Sequence, residues 1–132
     1  MPKFSELEVG QVVATKDYEL TRDSLVRYAG ASGDFNPIHY RDDFAQAVGL
    51  PGVLAHGMLT MGLSVQPVVS WVGDAAKVVD YGVRFTKPVL VPARGSAKLT
   101  VTATIGLLDD ENQKARVDLS TVFEDNTVLG KA

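Results

Sequence analysis

The sequence predicts an α+β fold in which an antiparallel sheet wraps a long buried helix. Between Thr21 and about Val72 the apolar residues recur at helical spacing. From Lys77 onward the spacing changes to two, which is typical of strands with one buried face. Short links between consecutive strands favour antiparallel pairing, and a helix that is apolar on nearly every side has to be covered by such a sheet.

Two helices are expected before the long one. The first begins after Thr21, a residue type that caps helix N-termini, and ends at Gly33, which suits a C-terminal stop. The second is short and follows His39. Two aspartates in its first turn suit the positive end of the helix dipole, and Gly49 and Pro51 end it.

The third helix begins near His56 or Gly57 and is predicted to be buried. Pro67 within it should kink it or remove a hydrogen bond at Leu63. Its apolar residues fall on nearly every side: Met58, Leu59, Met61, Leu63, Val65, Val68, Val69 and Trp71.

Three strands with one buried face each are expected after this helix. Their apolar residues alternate from Val79 to Phe85, from Leu99 to Ile105 and from Val117 to Phe123. The polar run Asp109–Asn112 is a solvated connection, and Asn126 marks a turn into a last short strand at residues 127–130.

The composition is that of an ordinary globular protein, and a single domain spanning residues 1–132 is expected. Of the 132 residues, 45% are hydrophobic and 22% are charged. The net charge of -3 argues against a sequence-independent grip on nucleic acid. The chain has no cysteine, which excludes disulfides, thiolate nucleophiles and sulfur-ligated metals. No targeting signal and no uninterrupted apolar span are visible, so we expect a cytoplasmic protein without membrane association.

A loop after the first helix carries a carboxylate and an imidazole. Asp34 and His39 lie in the run Gly-Asp-Phe-Asn-Pro-Ile-His. Pro37 keeps Asn36 out of the helical region, so this is an ordered loop in which both side chains can converge. Together they can share the proton transfers of an addition or an elimination. The alternative is that the run is turn chemistry alone, which gives His39 no task.

The start of the third helix is the second candidate. Gly57 has no side chain to block an approaching oxygen, and the N-H groups of a first helical turn are free. A thioester carbonyl there would be polarised by these donors and by the helix dipole. The alternative is that Gly57 only permits close packing. His56 is interpreted as a structural histidine, and a metal site built from Asp34, His39 and His56 is disfavoured because nothing else in the sequence resembles a zinc site.

The segments Tyr28–His39 and Ala55–Leu59 resemble those of the MaoC-like family of (R)-specific enoyl-CoA hydratases and (3R)-hydroxyacyl-acyl carrier protein dehydratases. The likeness continues through Ser70–Asp74 and Val83–Thr86. Within the family it is strongest to the catalytic subunits of mycobacterial-type fatty acid synthase II dehydratases. The resemblance implies a hot-dog fold that works as a dimer, with no metal or redox cofactor.

The resemblance also implies the site residues. Asp34 and His39 are the catalytic pair, the Gly57 N-H holds the thioester oxygen, and Asn36 orders the loop or the water. In hydration the pair would activate a water for attack at C3 and return a proton to C2, and dehydration runs the same path backwards. Hydratases of this family often carry a serine on the central helix, where this chain has Ser64 between Leu63 and Val65.

Other functions were weighed against this one. A hot-dog thioesterase typically uses a carboxylate near the central helix, and residues 58–72 contain none. A subunit that only binds the acyl chain in a heterodimer would lack the catalytic pair, which this chain has. A basic patch beside the site would bear on whether the carrier is coenzyme A or acyl carrier protein. The candidate residues for such a patch can equally be interpreted as surface charges in contact with solvent. These candidates are Arg84, Lys87, Arg94 and Lys98.

Overall fold

The computed structural model describes residues 1–132 as three α-helices and six strands. The helices are α1 (Arg22–Ser32), α2 (Asp42–Ala47) and α3 (Gly57–Val72). The strands are β1 (Val12–Leu20), β2 (Arg84–Phe85), β3 (Ala97–Asp109), β4 (Lys114–Phe123), β5 (Asn126–Thr127) and β6 (Leu129–Gly130). Short 3-10 turns cover Phe4–Glu6, Pro37–His39 and Ala75–Lys77.

The main sheet has four antiparallel strands in the order β1-β3-β4-β5. Every second residue of its central strand β3 points into the core, as the period of two predicts. The buried residues of β3 are Ala97, Leu99, Val101, Ala103 and Ile105. The long helix α3 packs against β1, β3 and β4. A second sheet of two strands pairs β2 with β6.

The ends of α1 follow the sequence prediction. Thr21 and Ser24 form a capping box, in which the Ser24 N-H donates to Thr21 Oγ1 at 3.3 Å and the Thr21 N-H donates to Ser24 Oγ at 3.1 Å. Gly33 ends the helix with a φ of 76°, a left-handed conformation that favours glycine. The predicted short helix after His39 is α2.

The sequence does not predict β1. Leu20 is the one buried residue of its nine, and charged side chains interrupt its apolar positions. It is an edge strand that pairs with β3 from Val12 opposite Thr104 to Leu20 opposite Ala97. Backbone pairing with an existing strand therefore determines β1, because it has no continuous apolar face of its own.

The sheet covers α3 on one side only, which corrects the expectation that the helix is covered all round. Its buried residues are Thr60, Ser64, Pro67 and Val68. Its outward face exposes a residue at every fourth position: Met58, Gly62, Gln66 and Ser70. Pro67 lies inside the helix without ending it. None of the helices is both long enough and apolar enough to cross a membrane.

The strand predicted over residues 79–85 is mostly absent. Only Arg84 and Phe85 pair with another strand, and residues 78–83 have no strand partner. This segment is held to α3 by Tyr81, whose hydroxyl donates to the Met61 carbonyl at 2.7 Å. Burial raises the pKa of Tyr81 to about 12. The alternating pattern therefore marks an extended segment whose outer edge is open in the single chain.

Replacing Leu99 by alanine should lower the free energy of unfolding by about 3 kcal/mol, because a side chain with no exposed surface leaves a cavity at the centre of β3. The matched control is Leu107→Ala in the same strand, where the side chain is 53% exposed and the expected loss is below about 0.5 kcal/mol. Urea denaturation of the three proteins measures both values. Equal losses would contradict this placement of the core.

Candidate active site

The loop between α1 and α2 is ordered by its own side chains. Asp34 Oδ1 accepts the Asn36 N-H at 3.1 Å, and Asn36 Oδ1 accepts the Ile38 N-H at 3.2 Å. Two successive turns of this kind lead into the 3-10 turn that begins at Pro37 and ends at His39. Asp34 thus forms one of the turns and also supplies the carboxylate of the loop, so the two interpretations of this sequence run are compatible.

The ring of His39 is fixed in one tautomer. Its Nδ1 lies 2.7 Å from the carbonyl oxygen of Leu54. Because a carbonyl can only accept, Nδ1 carries a proton, and Nε2 of the neutral ring offers a lone pair. Nε2 lies 3.9 Å from Asp34 Oδ2. That separation is too long for a hydrogen bond but lets one water or hydroxyl contact both groups.

The two groups differ in exposure. The His39 side chain is 10% exposed, while the Asp34 side chain is 50% exposed. The carboxylate therefore keeps contact with solvent, and the imidazole is largely buried. A proton taken up at this site can leave through Asp34 without crossing the protein.

His56 contacts both residues of this pair. It is 1% exposed, and its ring stacks on that of His39 with centroids 3.8 Å apart and an interplanar angle of 20°. Its Nε2 donates to the backbone oxygen of Asp34 at 3.2 Å, and the ring of Tyr28 meets it edge-on at 4.7 Å. The interpretation of His56 as a structural residue agrees with these contacts.

The remaining nitrogen of His56, Nδ1, is buried without a partner. Burial lowers the pKa of His56, and the adjacent His39 lowers it further, although the Asp34 backbone hydrogen bond and carboxylate oppose this. The ring therefore stays neutral near pH 7, and His56 does not compete with His39 for a proton.

The first turn of α3 offers unused donors. No backbone carbonyl accepts the N-H of Gly57 or of Met58. A Cβ placed on Gly57 would lie 3.0 Å from the ring of Phe85, so the aromatic ring lies directly against the glycine. Gly57 therefore permits a close contact and also presents a free N-H, an arrangement that is compatible with both alternatives from the sequence.

A cavity of about 300 Å³ joins the loop to the helix start. Its lining includes His39, Gly57, Thr60 and Phe85. Asp34 does not line the cavity, and its carboxylate lies beside the His39 ring. The structure thus places His39 and Gly57 on one cavity and Asp34 beside His39.

Asn36 and Ser64 do not line this space. Asn36 is exposed, and its side chain caps the turn, so its contribution here is to order the loop. Ser64 is fully buried in the core, where its hydroxyl donates to the Thr60 carbonyl at 2.8 Å and lies 2.8 Å from Thr121 Oγ1. Sequence reasoning missed Thr60, although it follows Gly57 by three residues and so lies on the same side of the helix.

Asp34, His39 and His56 could also be considered as metal ligands, since one ligand atom from each lies within 4.8 Å of the others. However, one nitrogen of each histidine is already bonded to a backbone carbonyl. The two rings are stacked nearly parallel, so their free lone pairs do not converge on one point. The donor set fits proton transfer better than metal binding.

A larger cavity of about 390 Å³ lies elsewhere, around Arg22 and Asp42. Two of its charged groups pair with each other: Arg22 Nε donates to the Val91 carbonyl at 2.8 Å, and its other nitrogens donate to Asp42 at 2.7 and 3.0 Å. The Arg22 hydrogen bond lowers the pKa of Asp42. These contacts fasten α1 to α2 and to the segment at Val91.

The family profile described as MaoC like domain matches residues 4–122. This chain belongs to the MaoC-like dehydratase family. A solved structure named MaoC-like dehydratase superposes on it with a TM-score of 0.94 at 36% identity, which covers 98% of this chain and 40% of that one. The hot-dog fold implied by the sequence resemblance is confirmed by this match.

Two curated relatives of this MaoC-like domain have named activities. The 3-hydroxyacyl-thioester dehydratase X of Mycobacterium tuberculosis is 42% identical over 74 residues, which cover 56% of this chain and 25% of that protein. The (R)-specific enoyl-CoA hydratase of Rhodospirillum rubrum is 30% identical over 103 residues, which cover 77% of this chain and 71% of that protein. The alignments thus span a quarter of one relative and most of the other.

The pH dependence of stability tests the environment of His56. Its pKa in the folded state lies below the value of 6.5 for a free side chain, so protonation favours the unfolded chain. The stability that depends on a neutral His56 is fully present above pH 6.5 and is lost as the pH falls below 6.5. Thermal unfolding from pH 7.5 to 5.0 should show a decline that is smaller in His56→Phe, which keeps an aromatic ring and cannot titrate.

His56→Phe also loses the hydrogen bond to the Asp34 carbonyl, so its stability at pH 7.5 should be lower by about 1 kcal/mol or more. The difference between the two proteins should then shrink as the solution becomes acidic. An identical decline in both proteins would contradict a neutral, buried His56.

Proposed function

We propose that this MaoC-like domain is a hydro-lyase that interconverts (3R)-hydroxyacyl and trans-2-enoyl thioesters. The observation that carries the proposal is the geometry of His39, whose Nδ1-H is held by Leu54 and whose Nε2 lies 3.9 Å from Asp34 Oδ2 on the side of a cavity. The free N-H of Gly57 lies on the same cavity. The named activities of the two relatives support the same reaction class, and the name of the Rhodospirillum rubrum enzyme supports its (R) specificity.

In the proposed hydration, each of these groups has its own role. The thioester oxygen accepts the Gly57 N-H, which polarises the carbonyl and stabilises the enolate-like charge that develops during the reaction. A water between Asp34 and His39 gives one proton to this pair and adds its hydroxyl to C3. The pair returns a proton to C2, so the product carries the whole water molecule. Dehydration takes the same steps in reverse.

The structure favours no second function. A thioesterase of this fold needs a carboxylate near the central helix, but α3 contains none, and its residues on the cavity are Gly57 and Thr60. A subunit that only binds the acyl chain needs no acid and base beside one cavity. Direct contact between Asn36 and the substrate remains a prediction, while its hydrogen bonds support a role in ordering the loop.

Assembly with a second hot-dog chain, either another copy or a related subunit, is part of this proposal. The outward stripe of α3 includes Met58, which is 58% exposed, and the open edge of residues 78–85 includes Val79 at 74% and Phe85 at 56%. Exposed apolar groups along an unpaired sheet edge favour association. Sedimentation of the pure chain should therefore give a mass near twice 14.2 kDa. A strictly monomeric chain would leave a related subunit as its partner.

The carrier is proposed to be coenzyme A or an acyl carrier protein in the cytoplasm. Among the basic candidates, the Lys98 ammonium already pairs with the Asp17 carboxylate at 3.4 Å, which leaves it less available to a carrier. Lys87 lines the cavity, and its Nζ donates to the neutral Asn126 Oδ1 at 2.9 Å. It is the basic candidate that is placed to meet a negatively charged carrier as the thioester enters.

Asp34→Asn and His39→Gln should each reduce hydration of crotonyl-CoA at least 100-fold, because each removes one half of the proton transfer. The loss of absorbance of the conjugated enoyl thioester measures the rate, with a longer trans-2-enoyl thioester as a second substrate. Asp23→Asn is the control, since this aspartate is exposed on α1 and pairs only with Arg27.

The control should keep the normal rate, and all three variants should remain folded, because the Asp23 and Asp34 side chains are at least half exposed and glutamine keeps a polar group in place of the buried His39 ring. Near-normal turnover in Asp34→Asn or His39→Gln would refute the assignment of the pair. If the folded wild-type chain hydrates neither thioester alone but does so once a related subunit is added, the activity belongs to the heterodimer.

A further inference from the structure

Thr60 is a buried polar residue on the cavity that the reaction as described does not use. It is 3% exposed and lines the same cavity as His39 and Gly57. Its carbonyl accepts the hydroxyl of Ser64, but its own hydroxyl has no hydrogen-bond partner within the chain. His56 Nδ1 is the only fully enclosed side-chain polar atom without a partner, so the Thr60 oxygen must reach the cavity surface.

The geometry of α3 places the Thr60 side chain over the turn that carries the free N-H groups. Thr60 follows Gly57 by three residues, and residues at this spacing lie one above the other on the same face of a helix. Side chains of a helix also lean toward its N-terminus and cover the preceding turn. The Thr60 side chain therefore covers the turn that begins with Gly57, whose N-H points out of the helix end.

A hydroxyl in this position is costly unless something binds it. Burying a hydroxyl without a hydrogen bond is unfavourable, and the common solution for threonine in a helix is to donate to a carbonyl of the preceding turn. Thr60 does not do so, since the His56 carbonyl accepts only the backbone N-H groups of Leu59 and Thr60. The nearby buried hydroxyls of Ser64 and Thr121 bond to each other instead. Thr60 is thus the one hydroxyl of this group left free for a ligand.

We propose that the Thr60 hydroxyl donates a hydrogen bond to the thioester oxygen, beside the Gly57 N-H. The inference rests on the proposed function and adds a second donor to it. Two donors on one oxygen stabilise the charge that develops there in the transition state more than they stabilise the neutral carbonyl of the substrate. Thr60 would then increase the rate of the chemical step more than the affinity for the substrate.

The first test is kinetic. Thr60→Val keeps the shape and removes the hydroxyl, and it should lower kcat about 100-fold with little change in KM. Thr60→Ser should restore most of the rate, and Thr60→Ala provides a second variant without the hydroxyl should valine disturb folding. The matched control is Thr121→Val, which removes a buried hydroxyl bonded to Ser64 away from the cavity. It should lower the melting temperature and leave kcat nearly unchanged.

The second test is spectroscopic and would not respond to a purely structural role. In an Asp34→Asn background, where turnover is slow, the infrared stretch of a bound trans-2-enoyl-CoA labelled with ¹³C at the thioester carbonyl reports how strongly that carbonyl is polarised. Adding Thr60→Val should shift the stretch to higher frequency, and adding Thr60→Ser should not.

The outcomes separate the two proposals. A Thr60→Val enzyme with normal kcat and an unshifted carbonyl overturns the second donor and leaves the proposed function intact. A lower kcat with an unshifted carbonyl also overturns it, because the hydroxyl would then act on the water. If Asp34→Asn retains full activity, or if no thioester is turned over by the chain alone or with a related subunit, the proposed function itself fails.

Discussion

The candidate site depends on one short backbone segment that precedes α3. Leu54 donates its N-H to the Ile38 carbonyl at 3.0 Å and accepts Nδ1-H of His39 at 2.7 Å, so both of its backbone polar groups hold the loop that carries Asp34 and His39. On the other side, the Ala55 N-H donates to the Val89 carbonyl at 2.9 Å, and the Val91 N-H donates to the Val53 carbonyl at 3.0 Å. The segment is thus bonded on two sides, and the position and tautomer of His39 follow from it.

This constraint explains how an exposed loop can hold an imidazole in a defined place. The hydrogen bonds within the loop run between residues two to four apart, which gives it shape but does not attach it to the rest of the protein. The attachment comes from Leu54 and from the His56 ring, which stacks on His39 and bonds the Asp34 backbone. Both lie in the few residues that lead into α3, so the positions of Asp34 and His39 are fixed relative to the start of the helix.

Much of this arrangement could be predicted from local sequence. The caps of α1, the acid and base of the loop and the start of α3 all depend on residues close together in the chain. The strand β1 could not be found in this way, because its pairing with β3 involves residues more than 75 positions away and its own pattern is mostly exposed. Periodicity also overestimated the strand before Phe85, since alternation predicts an extended chain but not whether a partner strand is present.

The site residues also differ in whether local sequence predicts them. Asp34, His39 and Gly57 belong to motifs with an identifiable chemistry, whereas Thr60 is one of several hydroxyls on α3 and its sequence context does not distinguish it from Ser64. Only the packing separates them, since Ser64 turns into the core and Thr60 into the cavity. The side of the helix on which each residue lies therefore determines which hydroxyl is available to a ligand. The residue type does not distinguish the two.

The contact between Phe85 and Gly57 links two surfaces that are distant in sequence. The aromatic ring lies against the glycine at the helix start, while its own strand β2 pairs on one side only and forms part of the open sheet edge. A methyl group at position 57 would lie 3.0 Å from this ring, so the ring would have to shift to make room for it. The two positions are therefore coupled: alanine in place of Gly57 is best accommodated where the group in place of Phe85 is smaller or turned differently.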